Sequence, residues 1–364
     1  MGFKNQSGFS IINNEQKVRI GLSKRAEMIM AEDMIAFSVD KKAQFINTVF
    51  DNFKFTAKSS VSIYLEEKKI EYEQLFADTP LDEDSRQNAV EKLLSSERDN
   101  ILSEIEHFMS EKAKSKIYHI NNANTDYLTN ECNEEIYYNQ KPAKYLRSII
   151  EEYCSLPFIK REKIYRKPVF DQVQNAIKDK RILKVQAKLY NKEQIFYVYP
   201  YKIISDSSHS QYYLACYSTM DQKVDPIIAS FSMARLNIKY TMQKNFHLSR
   251  IKVNNIDKAL SMNSASYLIS KPEQIRLKLT KKGYQTYLTK LFSRPELSSE
   301  DKKNNIYTFS CSPLQAYNYF FSFGREVEIL EPESLRNKFI KGYSHAFNVY
   351  RDKDNSKNSW FSKQ

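Results

Sequence analysis

RILKVQAKLY, residues 181–190, is the first of four short runs of sequence that decide the fold. The others are IFYVYPYK (195–202), QYYLACY (211–217) and IIASFSMAR (227–235). Each run is rich in β-branched or aromatic residues and alternates, so that Leu183 and Val185 point one way and Lys184 and Gln186 the other. This period of two is typical of half-buried strands. Four such strands with one apolar face predict a small β-barrel.

The second face of these strands carries tyrosines, lysines and hydroxyl groups and, among its assigned positions, no Asp or Glu. Arginine offers a bidentate fork to phosphate, lysine adds charge, tyrosine can stack on a base, and serine can bond a phosphate oxygen. The alternative is that strand tyrosines only pack. The candidate binding residues are Lys188, Tyr190, Tyr201, Lys202, His209, Tyr213, Ser230, Ser232 and Arg235.

The same region resembles a known family. Tyr212-Tyr213-Leu214 is similar to the Trp-Tyr-Leu signature of WYL domains, and Tyr199-Pro200-Tyr201 precedes it at the usual distance. Phe231-Ser-Met-Ala-Arg-Leu236 resembles that family's Phe-Arg-Leu-Asp-Arg-Ile run; Arg235 is kept, whereas Ser232 and Ala234 replace an Arg and an Asp. The resemblance implies an SH3-like barrel that binds nucleic acid or nucleotide-like ligands in bacterial regulators and defence systems. With one arginine absent, lysines must supply charge to any bound phosphate.

Composition favours the same class of ligand. The 364 residues carry a net charge of +12, with a pI of about 9.2, and include 25 Tyr and 22 Phe. Cations that hold phosphates beside aromatic rings that stack on bases are typical of nucleic-acid binding. An AT-rich genome would also give Lys-, Asn- and Tyr-rich usage, so composition leaves both explanations open.

The chemistry of enzymes is missing from the sequence. It has only 6 Gly and contains no GxGxxG, Walker, HExxH or Gly-x-Ser-x-Gly pattern. Its 4 Cys and 5 His show no metal-ligand spacing. We therefore expect no catalysis, no cofactor and no metal. No apolar run of about 18 residues and no signal peptide is found, which predicts a cytoplasmic protein without membrane contact.

The N-terminal segment, 15–58, predicts one strand followed by two helices. Lys17-Val-Arg-Ile-Gly-Leu22 alternates, Ser23 and Asp40 are expected to cap the helices, and Phe45 begins an apolar stripe on the second. The arrangement resembles the ribbon-helix-helix fold, in which two chains pair their strands. That resemblance implies a homodimer, with Lys17 and Arg19 as the strand residues that would read DNA.

The remaining chain divides by composition. Residues 59–165 are a helical linker region that is acidic over 60–115. It leads into a basic run, Lys160-Arg-Glu-Lys-Ile-Tyr-Arg-Lys167, which either holds backbone phosphates or forms the solvated side of the linker. Residues 166–240 form the barrel domain, followed by a connector of irregular structure over 238–261. Residues 262–350 resemble the C-terminal extension of WYL regulators, which implies a second dimerisation segment. The predicted fold class is therefore multidomain α+β, with a central SH3/Sm-like barrel and a small α/β extension.

The whole combination resembles the WYL accessory proteins of type VI-D CRISPR systems. That resemblance implies a homodimeric, non-catalytic protein that binds single-stranded RNA and stimulates a CRISPR RNA-guided RNA nuclease. The alternative is a transcriptional repressor whose N-terminal ribbon reads operator DNA and whose barrel senses a nucleotide. The sequence leaves open whether DNA is also a partner.

Overall fold

The computed structural model describes residues 9–12, 15–110, 114–189, 192–206, 211–262, 268, 273–291 and 293–351. The chain divides into two compact units, Met1–Asp171 and Gln172–Gln364. Helices and three separate sheets are present in the described ranges, so the mixed α and β composition is confirmed. No described helix combines the length and apolar composition needed to cross a membrane.

The first unit combines a three-stranded antiparallel sheet with helices. The strands are β1 (Phe9–Ile12), β2 (Glu15–Ile20) and β3 (Lys116–Ile120). The helices are α1 (Lys24–Ala36), α2 (Lys42–Phe53), α3 (Val61–Phe76), α4 (Glu83–Ser110), α5 (Asn122–Asp126), α6 (Pro142–Ser155) and α7 (Phe158–Tyr165). Short π and 3-10 turns, Tyr127–Glu131 and Asn133–Tyr138, link α5 to α6.

The two predicted N-terminal helices are present. The Ser23 hydroxyl accepts from the Ala26 amide and caps α1, as expected. The predicted stripe of α2, which begins at Phe45, is buried along its length. The Asp40 cap is wrong, because α2 begins at Lys42 after Lys41 and has no side-chain cap.

The predicted ribbon between two chains is not what the strands form. The sheet order is β1-β2-β3, so both edges of β2 are paired within the same chain. Lys17 lies opposite Ser10 on one side and His119 on the other. A strand whose backbone groups are satisfied on both edges has none left for a second copy. Segment β3, unrecognised in the sequence, takes the place that the partner's strand would fill.

The basic run after α6 is partly buried rather than exposed. Arg161 of α7 is 6% exposed, and its Nε and Nη2 donate to the two carboxylate oxygens of Asp33 at 2.8 and 2.9 Å. The Tyr153 hydroxyl donates to the same carboxylate at 2.8 Å. This arginine therefore ties α7 to α1 and is not available to a phosphate.

The second unit begins within α8 (Lys167–Lys178) and contains the strands that decided the fold. They are β4 (Arg181–Leu189), β5 (Lys192–Asp206), β6 (Gln211–Thr219), β7 (Ile227–Ser232) and β8 (Asn237–Asn245). The predicted alternation holds, since Leu183, Val185 and Leu214 are fully buried. The sheet order is β7-β6-β5-β4-β8, so β7 and β8 are edges and the described strands do not close into the predicted barrel.

The predicted irregular connector is regular structure. Residues Asn237–Asn245 form β8, and Arg250–Met262 form the helix α9. Ile256 is fully buried, and Ala259 and Leu260 pack beside it. The helix was missed because its apolar positions are separated by Lys, Asn and Asp, although Val253, Ile256 and Leu260 do keep helical spacing.

The C-terminal part of this unit is a β-α-β-β-α-β sandwich followed by a long helix. Its elements are β9 (Glu273–Leu279), α10 (Lys281–Thr289), β10 (Glu296–Asp301), β11 (Ile306–Cys311), α11 (Pro313–Phe320), β12 (Val327–Glu331) and α12 (Glu333–Arg351). The antiparallel order β10-β11-β9-β12 is that of the ferredoxin-like split βαβ unit. Gly324 has φ +58, a conformation that glycine adopts readily, at the turn before β12.

Candidate nucleic-acid interface

The predicted polar face brings several candidate residues together on β5, β6 and β7. Tyr213 pairs with Ser232, and the next residue on the same face of β6, Ala215, pairs with Lys202 on one side and Ser230 on the other. Directly opposed residues of an antiparallel pair point to the same face. Lys202, Tyr213, Ser230 and Ser232 therefore occupy two neighbouring rows of one surface.

Within this group, accessible charge lies beside buried polar atoms. Lys202 is exposed, whereas Tyr213 is 9% and Ser230 4% exposed. The Tyr213 hydroxyl accepts from the Gln211 side-chain amide. The Ser230 hydroxyl has no hydrogen-bond partner among the described residues. An unbonded buried hydroxyl is unfavourable, and burial keeps this one out of reach of a ligand in this arrangement.

Arg235 lies just beyond β7, the strand that carries Ser230 and Ser232. It ends the 3-10 turn Met233–Arg235 that follows β7, and it is exposed. Met233 and Ala234 of the turn are buried and anchor it. The arginine is thus presented to solvent from a fixed turn, which suits bidentate recognition of a phosphate.

Helix α9 covers part of the same face, including Ala215 between Lys202 and Ser230. Ala215, Tyr217, Ile256 and Leu268 form an apolar cluster between the sheet and this helix. The partly buried tyrosines Tyr199 and Tyr201 pack against the cluster. The tyrosines on this part of the face are therefore packing residues, which is the alternative that the sequence left open.

Tyr201 shows this most clearly. Its hydroxyl donates to the two carboxylate oxygens of Asp257 on α9 at 2.9 and 3.0 Å. Desolvation and this bond raise the pKa of Tyr201. Tyr217 donates to the Lys252 carbonyl at 2.9 Å in the same way. Asp257 was not recognised from the sequence, because its partner Tyr201 lies 56 positions away along the chain.

The structure does not describe the side chains of three candidate residues, Lys188, Tyr190 and His209. Tyr190 and His209 lie outside the described residues. The backbone of Lys188 belongs to β4 and pairs with Glu193 of β5, while its side chain lies outside the description.

The proposed DNA-reading residues belong to the first unit. Arg19 is exposed and Lys17 is half-buried on the central strand β2. Arg19 lies opposite Ile117 of β3, which is 54% exposed. Their setting is a three-stranded sheet of one chain, not a two-chain ribbon.

Comparison with known proteins gives a fold but no family. No family model matches the sequence, and no curated protein matches it. A solved structure, described as a CRISPR Cas-related protein, has a TM-score of 0.75 at 20% identity and covers 96% of this chain and 97% of that one. Proteasome accessory factor B/C of Arthrobacter aurescens reaches a TM-score of 0.29 at 13% identity, covering 62% and 37% respectively. The first likeness shows a shared fold over nearly the whole chain.

Proposed function

We propose that this chain is a non-catalytic accessory protein of a CRISPR system, which binds single-stranded RNA and stimulates an RNA-guided RNA nuclease. The observation that carries the proposal is the fold shared over 96% of the chain with a CRISPR Cas-related protein. The Tyr212-Tyr213-Leu214 motif and the run from Phe231 to Leu236 resemble motifs of WYL domains. They support the same assignment, and the resemblance favours a homodimer.

Charge supports RNA as the ligand. The chain carries +12 overall, and both Lys202 and Arg235 are exposed. Cations of this kind release counterions when they meet phosphates, so the affinity falls as salt rises. The half-buried Ser232 offers a hydroxyl of the kind that can bond the 2′-hydroxyl that distinguishes RNA from DNA.

The state of the cysteines supports a role without covalent catalysis. Burial raises the pKa of the Cys132 and Cys311 thiols to about 12, and it raises the pKa of Cys154 and Cys216 as well. A thiol acts as a nucleophile in its ionised form, which such environments disfavour.

Binding is tested by filter retention of single-stranded RNA, single-stranded DNA and duplex DNA at two salt concentrations. We expect RNA to be retained best, with a negative slope of log affinity against log salt. The variant Arg235→Ala should make this slope less negative by about 0.7, the value for one single-strand phosphate contact. Lys341→Ala, which removes an exposed lysine from α12, is the matched control. No retention of RNA, or retention independent of salt, would contradict the proposal.

Stimulation is tested with a purified CRISPR RNA-guided RNA nuclease, its guide RNA and a target RNA. We expect the purified protein to increase the rate of target RNA cleavage, and Arg235→Ala to increase it less. The protein alone should leave the RNA intact. Cleavage by the protein alone, or an unchanged rate when it is added, would contradict the proposed role.

A further inference from the structure

A row of three side chains on the second unit lies outside the candidate residues described so far. Lys184 of β4 is paired with Tyr197 of β5 on one side and with Tyr240 of β8 on the other. The three therefore share one face and lie side by side across three neighbouring strands. Because β8 is an edge strand, this row is at the margin of the sheet.

The lysine is held between the two rings. Its Nζ lies 5.8 Å from the centre of the Tyr197 ring and 5.2 Å from that of Tyr240. A hydrogen bond with Tyr240 and the proximity of both tyrosines raise the pKa of Lys184. No carboxylate contributes to that shift. The ammonium is therefore charged and is not neutralised by an acid.

The row is most open to solvent at its end on the edge strand β8. Tyr240 is 48% exposed, and Lys184 and Tyr197 are half-buried. A bulge in the pairing between β4 and β8 places Lys239 beside Tyr240, and both are exposed. Bulges at sheet edges commonly redirect a side chain toward a ligand. The bulge thus adds a second cation to the row.

Glu193 of β5 and Asp257 of α9 both accept hydrogen bonds within the chain. Glu193 accepts from the Gln186 side-chain amide, and Asp257 accepts from Tyr201. The order ring, cation, ring is that of a base, a phosphate and a base.

We infer that Tyr197, Lys184 and Tyr240 bind two consecutive nucleotides of a single strand. One base stacks on each tyrosine, and the linking phosphate contacts Lys184. Strand spacing sets the two rings about 10 Å apart, which a strand with its bases separated can span. Stacking on aromatic faces tolerates any base, so this row contributes affinity with little sequence preference. The inference rests on the proposed RNA binding and names residues for it.

The test uses the full-length protein and a fluorescein-labelled oligouridylate. Tyr240→Ala should raise Kd at least about fivefold, because one base stack is lost, whereas Tyr240→Phe keeps the ring and should stay within about twofold. Lys184→Gln should make the slope of log affinity against log salt less negative by about 0.7. Tyr350→Ala removes a tyrosine that is 75% exposed on α12 and is the matched control. Far-ultraviolet circular dichroism checks that each variant is folded.

A second measurement locates the contact directly. An oligouridylate that carries 4-thiouridine is cross-linked to the unaltered protein, and the adduct is mapped by mass spectrometry. We expect adducts on peptides that contain Tyr197 or Tyr240. If a folded Tyr240→Ala binds as tightly as Tyr350→Ala, or adducts form only elsewhere, the row is not a binding site although the protein still binds RNA. If the unaltered protein does not bind the oligonucleotide at all, the proposed function and this inference both fail.

Discussion

The Tyr201 hydroxyl is bonded to both oxygens of the Asp257 carboxylate, which joins strand β5 to helix α9 at 2.9 and 3.0 Å. The bond converts a tyrosine that the sequence offered as a ligand contact into a contact within the chain. It also divides one sheet face into a covered part, under α9, and an accessible part, near β8. The position of the helix therefore determines which aromatic rings a ligand can reach.

Removing this hydroxyl should loosen α9 without weakening RNA binding. We expect Tyr201→Phe to lower the free energy of unfolding by no more than about 1.5 kcal/mol, the upper range for one hydrogen bond. Amide exchange in α9 should become faster, as followed by mass spectrometry, while the Kd for RNA stays within about twofold. A clear loss of RNA affinity in the folded variant would show that the hydroxyl contacts the ligand after all.

The buried pair in the first unit should be far more important for stability. Arg161→Ala leaves the Asp33 carboxylate, which is fully buried, without its cation. We expect the free energy of unfolding to fall by about 3–5 kcal/mol in urea denaturation. Arg276→Ala is the control, because it breaks an exposed pair with Glu331 at 2.7 Å and should cost no more than about 1 kcal/mol. Equal losses for the two variants would contradict this expectation.

The spacing of apolar residues along the sequence correctly predicted those helices and strands that bury one apolar face. The stripe that begins at Phe45 identified α2, and the alternation around Leu183 and Leu214 identified two strands of the main sheet. Those patterns arise because each element must bury its apolar side, whatever lies opposite. They carry no information about which element covers which face.

The features that were missed depend on partners far along the chain. Strand β3 pairs with β2 across about a hundred residues, and that pairing replaces the expected two-chain ribbon. Asp33 and Arg161 are 128 positions apart, so a charge that looked available in the linker is neutralised in the core. The covering of the sheet by α9 was missed for the same reason, because it depends on contacts between residues far apart in the sequence. A single sequence shows which faces are apolar or charged, but the fold decides which of them remain open.

Gly283 illustrates a position where the usual helix preference should reverse. Alanine normally stabilises a helix interior relative to glycine. In α10, however, a Cβ at Gly283 would overlap the carbonyl oxygen of Glu326. We expect Gly283→Ala to lower Tm, with a cost of about 1–3 kcal/mol from overpacking. Gln285→Ala, at an exposed position of the same helix, should leave Tm nearly unchanged or raise it. If Gly283→Ala were more stable than the unaltered protein, α10 and the backbone at Glu326 would be able to move apart at little cost.

The central position of β2 predicts the behaviour of the residues expected to read DNA. Arg19→Ala removes an exposed cation from a strand whose edges are both paired. We expect binding of duplex DNA and of RNA to stay within about twofold of the unaltered protein, because the one-chain sheet lacks the ribbon that enters a major groove. Gel-shift titration with both ligands checks this. A selective loss of duplex binding would instead favour the transcriptional repressor.

Two carboxylates that accept hydrogen bonds from backbone amides around the start of α3 should make the stability of the fold depend on pH. Glu152 accepts from the backbone amides of Lys58 and Ser59, and Glu134 accepts from that of Ser62. Burial raises the pKa of both carboxyl groups, and these hydrogen bonds only partly oppose it. A carboxyl group whose folded pKa is raised binds more protons in the folded state than in the unfolded state. Its contribution to the free energy of unfolding therefore falls as the pH rises from its ordinary value of 4.5 through the raised one.

Glu152→Gln removes that dependence while keeping one oxygen that can accept a backbone hydrogen bond. Urea denaturation between about pH 4 and about pH 7 should show the variant gaining stability relative to the unaltered protein as the pH rises, because only the unaltered protein must ionise a buried acid. Glu104→Gln, at an exposed position of α4, should give a constant difference over the same range. A difference for Glu152→Gln that stays flat, or that changes in the opposite direction, would mean that the bonds to Lys58 and Ser59 outweigh burial and that the folded state favours the ionised acid.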